Sequence, residues 1–120
     1  MKQPVISERK VQRSIIKECG KIFPQVFMAH VPNGAHLAGT AGPLLGDGMR
    51  KGFPDLIVLW NHGVGFLEVK NSKGGTTSPD QVRMHEYLTS IGHRVAVVTS
   101  DAEAQEALLS WGAPCIARAA

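Results

Sequence analysis

The sequence is poor in cysteine. Cys19 and Cys115 are the only two in 120 residues, and neither belongs to a C-x-x-C pair, which excludes a disulfide framework. Histidines do not supply a zinc site either, because His62, His85 and His93 show no metal-ligand spacing. Long apolar runs are also missing, and the longest falls far short of a membrane span. The opening stretch "MKQPVISERK" is polar and lacks the apolar run of a secretory signal, so an intracellular, cytoplasmic protein with no membrane partner is expected. Internal repeats, low-complexity tracts and linkers are absent, which leaves one domain spanning 1–120. With 43% hydrophobic and 19% charged residues, such a chain can bury a core without metal or disulfide staples.

Charge is unevenly placed. The formal net charge is +3. Lys2, Arg9, Lys10, Arg13, Lys17 and Lys21, against Glu8 and Glu18, give residues 1–21 a net +4 and leave −1 for the remainder. A basic end on a near-neutral body is compatible with phosphate contact through residues such as Lys10, Arg13 and Lys17; it is equally the pattern of a solvated helix face.

Local patterns set the element order. Residues 8–20 read as an amphipathic helix, with Val11, Ile15, Ile16 and Cys19 as its apolar stripe, Ser7 as N-cap and Gly20 as its end. Phe27 to Val31 reads as a strand closed by Pro32-Asn33-Gly34. Residues 33–52 are rich in glycine and too long for an ordinary connection, which suggests a functional or mobile loop; Arg50 and Lys51 lie near its end. Leu56 to Trp60 and Val64 to Val69 form a hairpin about Asn61-His62-Gly63. Ser78-Pro79-Asp80-Gln81 is a capping box opening a helix with Met84, Tyr87, Leu88 and Ile91 on its apolar side. His85 reads as the polar edge of that helix. Arg94 to Thr99 is a strand. Ser100 to Glu103 is a second capping box, for a helix to about Ser110, and residues 112–120 offer a short edge strand. The order implies an α/β fold, a mixed sheet of about four strands flanked by helices.

One end of the hairpin is charged. If the turn is Asn61-His62, Asp55 faces Glu68; if it is His62-Gly63, Asp55 faces Lys70. Glu68 and Lys70 share a face of their strand in either case. Two carboxylates at one place repel, and each resists desolvation. A divalent cation relieves both, and Asp55, Glu68 and the Val69 backbone carbonyl are the oxygen donors that Mg²⁺ takes. Lys70 would then orient a water or neutralise charge on a phosphate. Glu8 and Gln81, polar residues in the first turns of two helices, fall on the inward sides of those helices and would join the same site.

The ordered set formed by Ser7-Glu8, Asn33-Gly34, "GFPDL", "FLEVK" and "SPDQ" resembles the VRR-NUC domain, a minimal branch of the PD-(D/E)XK nuclease superfamily. The resemblance covers roughly residues 7–111. It implies a restriction-endonuclease-like core and Mg²⁺- or Mn²⁺-dependent hydrolysis of DNA phosphodiesters, with a water nucleophile and no covalent intermediate. Asp55 and Glu68 would be metal ligands and Lys70 the catalytic lysine. Glu8 would complete the metal shell directly or through water, Gln81 would orient the site, and Asn33 would be a polar position beside it. Arg50 and Lys51 are placed to grip a phosphate. Stand-alone members of this size, often from phages, are similar to archaeal Holliday-junction resolvases, which implies branched DNA, a homodimer, and the cytoplasm of a bacterial or phage-infected cell. The loop 35–48 matches none of these motifs.

Three alternatives compete. His30, Asn33 and His36 superficially resemble a His-Asn-His nuclease but lack its strand-strand-helix context. A catalytically inactive DNA-binding module of the same fold would have no need of Asp55, Glu68 and Lys70 together. A structural protein would use the hairpin end as a salt-bridge network centred on Lys70.

Overall fold

The protein is described from a computed structural model, in which residues 3–32, 46 and 48–116 are placed. Among the described residues, three helices and four strands run in the order α1 (Glu8–Ile22), β1 (Phe27–His30), β2 (Leu56–Trp60), β3 (Gly63–Val69), α2 (Pro79–Ser90), β4 (Arg94–Val98) and α3 (Asp101–Ser110). The strands lie side by side as β1-β2-β3-β4. The first two pairings are antiparallel and β3–β4 is parallel. The chain is thus α/β, a mixed four-stranded sheet flanked by helices. No helix among the described residues is long and apolar enough to cross a membrane.

The hairpin register follows the first of the two alternatives. Leu56 pairs with Leu67 and Trp60 with Gly63, so Asn61 and His62 form the turn, and the same register carries Asp55 opposite Glu68. His62 takes the left-handed conformation that this tight connection demands, at φ 66°.

The two faces of the sheet do different work. On one, Leu56, Val58, Leu67, Val69 and Val98 pack with Val11, Ile15 and Cys19 of α1 and with Ala104 and Leu108 of α3. Side chains alternate along a strand, so the opposite face carries Ile57, Phe66 and Val95 in one row and Glu68 beside Val97 in the next. Helix α2 covers the Glu68 part of that face, as its hydrogen bonds to Glu68 show.

Several sequence expectations need correction. Helix α1 continues through Gly20 to Ile22, because that glycine needs no special φ and the Phe23 N–H still bonds back to the Cys19 carbonyl. Ile16 is exposed; the stripe that meets the sheet is the narrower Val11–Ile15–Cys19 row. On α2 only Leu88 is buried, while Tyr87 and Ile91 are exposed, since the helix rests on the sheet along one side only. The strand after Phe27 stops at His30. The Ser100 box is offset: Ser100 caps α3 by accepting from the Glu103 N–H, but Glu103 reaches back to the N–H and hydroxyl of Thr99. Residues 113–116 are not strand; the Ile116 N–H ties this segment to the Ile22 carbonyl at the end of α1.

One glycine fixes the approach to the hairpin. Gly52 has φ +77°, and a Cβ there would stand 2.4 Å from the carbonyl carbon of Asp80 and 2.7 Å from the Gln81 nitrogen. The segment carrying Arg50 and Lys51 is thereby laid directly on the first turn of α2. Replacing Gly52 with Ala combines left-handed strain with a backbone clash, and is expected to cost about 1–3 kcal/mol, measured by denaturant unfolding against the wild type.

Candidate active site

Polar groups gather where β3 ends. Asp55 lies half-buried just before β2, and its Oδ2 accepts the Val69 N–H at 2.7 Å. That bond pins the carboxyl across the open end of the hairpin, and buried Pro54 fixes the chain entering it. Glu68 and Lys70 are 1% and 4% exposed, the only charged side chains buried in the described interior. The strand places both on the α2 side, and α2 supplies what they bond.

Gln81 is the link. Its Nε2 donates to Glu68 Oε2 at 3.0 Å, and its Oε1 accepts from Lys70 Nζ at 2.8 Å and from the Ser78 N–H at 2.9 Å. An ammonium can only donate, so Lys70 fixes which way the amide points and leaves its NH₂ for the carboxyl. Lys70 also donates to the Thr76 carbonyl at 3.0 Å, on the loop that follows β3. No buried side-chain nitrogen or oxygen among the described residues lacks a partner.

A direct salt bridge from Lys70 to Asp55 or Glu68, the basis of the structural-protein alternative, is not among the ion pairs of the described residues. The Gln81 amide stands between Lys70 and Glu68 instead.

Asp55 and Glu68 are brought together. Burial pushes the Glu68 carboxyl up to about 9, helped by its hydrogen bond with the Asp55 carboxyl and by the Asp55 charge; Lys70 opposes this, and Glu8 adds a smaller push upward. At neutral pH the metal-free pair therefore keeps a proton on Glu68. Glu8 opens α1 on the expected side, close enough for its charge to be felt at Glu68, but it remains exposed. A first-turn residue has no further turn of helix beyond it to shield it, which is why the helical pattern overstates its burial.

The sequence pattern puts His85 on the polar edge of its helix; the structure makes it part of the cluster. Its side chain is 15% exposed, with Nε2 3.3 Å from Glu68 Oε1. Desolvation and then the Lys70 charge lower its pKa, with Asp55 opposing. With the imidazole neutral and Glu68 protonated, this contact is a hydrogen bond and not an ion pair. The available signal was spacing: Gln81 and His85 are four apart, hence on the same side of α2.

The basic candidates divide. Arg50 and Lys51 are exposed on the segment that Gly52 seats against α2, beside the cluster. Lys10, Arg13 and Lys17 are exposed in a row on the side of α1 away from Val11, Ile15 and Cys19, so they face away from the sheet. Asn33 and His36 lie outside the described residues. His30 is exposed and bonds through Nδ1 to Gln12 Nε2 at 3.1 Å.

The donor set is oxygen-rich and suits a hard divalent cation. Asp55 and Glu68 lie close together at the strand end, and Mg²⁺ is commonly held by one or two carboxylates with water filling its shell. No group of three His, Cys, Asp or Glu side chains is arranged as a metal cage among the described residues, so such an ion would depend on the carboxylate pair, backbone oxygen and water. A surface groove of about 550 Å³, lined in part by Trp60, His62, His93 and Arg94, lies at the turn end of the hairpin, away from the carboxylates.

The raised Glu68 pKa has a definite sign. The group contributes stability that is fully present below about 4.5, its unfolded value, and is lost as pH rises through about 9. Metal-free protein should therefore lose thermal stability across that window, and Glu68→Gln should flatten the loss, as measured by melting temperature against pH in EDTA.

No protein-family model and no curated protein matches this chain.

Proposed function

We propose that the chain is a metal-dependent endodeoxyribonuclease with a PD-(D/E)XK core of the VRR-NUC type, acting on DNA phosphodiesters and preferring branched DNA as a homodimer. One observation carries the reading: half-buried Asp55 and buried Glu68 stand together at a strand end with Lys70 beside them, and Gln81 joins the lysine to the second acid. A merely structural cluster would be cheaper as apolar residues, because buried ionic groups seldom repay their desolvation.

Asp55, Glu68 and the Val69 carbonyl would hold Mg²⁺ or Mn²⁺, with Glu8 reaching it directly or through water. Bound there, the ion supplies Lewis-acid polarisation of a phosphoryl oxygen and lowers the pKa of a water. The chain's own residues do the rest. Asp55 is clamped in place by the Val69 N–H. Lys70 offers an ammonium to orient water or to meet the charge that builds on the phosphate. Gln81 holds Lys70 and Glu68 at a fixed separation. Arg50 and Lys51 supply phosphate contacts beside the cluster, and the α1 row of Lys10, Arg13 and Lys17 offers a second basic surface.

The test is incubation with supercoiled plasmid, linear duplex and four-way junction, each in Mg²⁺, Mn²⁺ or EDTA. Metal-dependent cleavage is expected, with the junction preferred. Lys70→Ala should abolish cleavage while DNA binding and the folded state survive, as checked by gel shift and thermal melting. Absence of cleavage by well-folded wild type on every substrate would sink the reading, and binding without cleavage would point to an inactive module.

The two basic surfaces separate by salt dependence. Neutralising one side chain that touches a phosphate should reduce the slope of log affinity against log salt by about 0.9. Neutralising Arg50 and Lys51 together is expected to flatten the slope by close to twice that amount. An unchanged slope would remove that segment from the interface, and the same measurement on a Lys10, Arg13 and Lys17 triple variant decides the role of α1.

A further inference from the structure

Glu68 is gripped at both of its oxygens. Gln81 Nε2 donates to Oε2 at 3.0 Å, and His85 Nε2 stands 3.3 Å from Oε1. The two nitrogens come from residues four apart, one turn of α2, so a single rigid element presents both. A carboxyl held at one oxygen still swings about its last side-chain bond, where the torsional preference is broad; held at both, its plane is set. With its proton on Nε2, the neutral imidazole donates to Glu68 Oε1.

Gln81 already has other duties, to Lys70 and to the Ser78 N–H. Among the described residues, no other side-chain hydrogen bond engages the His85 ring nitrogen that faces Glu68. With both oxygens anchored from α2, the carboxyl keeps its remaining lone pairs for other neighbours, and Asp55 is close enough to act on it.

We propose that His85 is a positioning residue, which sets the plane of the Glu68 carboxyl so that Glu68 and Asp55 present their oxygens together to one divalent cation. This inference rests on the metal-dependent reading above. It assigns His85 no contact with substrate and no proton transfer. Outer hydrogen bonds of this kind typically change metal affinity by about 10–100-fold when removed.

The experiment measures the Mn²⁺ dissociation constant by calorimetry on the full chain without DNA, alongside Mn²⁺-dependent plasmid cleavage. His85→Phe fills the space without a donor, and His85→Gln places an amide N–H near the Nε2 position. His85→Phe is expected to weaken Mn²⁺ binding about 10–100-fold, and His85→Gln to stay within about threefold of wild type. Should His85→Phe not fold, His85→Ala, which removes the donor without added bulk, is judged by the same criterion. Wild-type affinity in the donor-less variant overturns the proposal. So does a His85→Gln defect as large as that of His85→Phe, since that marks loss of ring packing and not of the hydrogen bond. If the wild type itself binds no Mn²⁺, the nuclease reading falls together with this one, whereas metal binding that is indifferent to residue 85 removes this one alone.

Discussion

Everything at the working end of the hairpin depends on one amide. Glu68 and Lys70 are both buried, yet they meet through Gln81 and not through each other. A buried ion pair must recover a desolvation penalty of several kcal/mol per ion from its geometry alone, and often fails to. Interposing an amide satisfies donor and acceptor in turn, without direct contact between the lysine and the carboxyl. Both groups stay available for a third charge. Gln81 can do this because it is also the third helical residue of a capping box, whose Ser78 partners hold its backbone and its oxygen. The same residue closes the helix start and bridges the charged pair, so the position of α2 and the chemistry of the site are one constraint.

The rest of the fold serves that placement. The two-residue turn fixes a register with Asp55 opposite Glu68, and the parallel β3–β4 pairing obliges the chain to cross back over the sheet, which is what lays α2 on the Glu68 face. Gly52 lets the incoming segment lie against the first turn of α2 with no side chain between. On the other face, α1 and α3 complete an apolar core with no polar residue in its central cluster. The sheet thus separates a dry side that holds the fold from a side where polarity is concentrated at one end. The Trp60–Trp111 stack closes the far end, where the absence of side chains at Gly63 and Gly65 makes room for the two rings.

Much of this was legible in the sequence because short-range chemistry governs it. Ser78 with Gln81, the apolar strands of the hairpin, and a tight turn within Asn61-His62-Gly63 are local signals, and the structure bears them out. Asp55, Glu68, Lys70 and Gln81 do converge. What escaped was set by tertiary context. Tyr87 and Ile91 fit an apolar stripe by spacing, but α2 meets the sheet along a narrow line and leaves them in solvent. The Thr76 carbonyl bonded by Lys70 lies on a loop with no periodicity to read. His85 escaped because a lone histidine among polar neighbours looks like surface; only its offset from Gln81 carried information, and that gained meaning once Gln81 was placed against Glu68.

The parallel crossover also divides the site between local and distant stretches of chain. The β2–β3 hairpin closes over two residues, whereas α2 and β4 meet it across a longer loop, the entropically costlier kind of contact. Asp55, Glu68 and Lys70 belong to the hairpin and the residue on either side of it, and Gln81 and His85 belong to the crossover helix. Burial of the hairpin's charged groups therefore depends on the seating of α2, and a change that loosens that helix would rehydrate the site without touching any of the three.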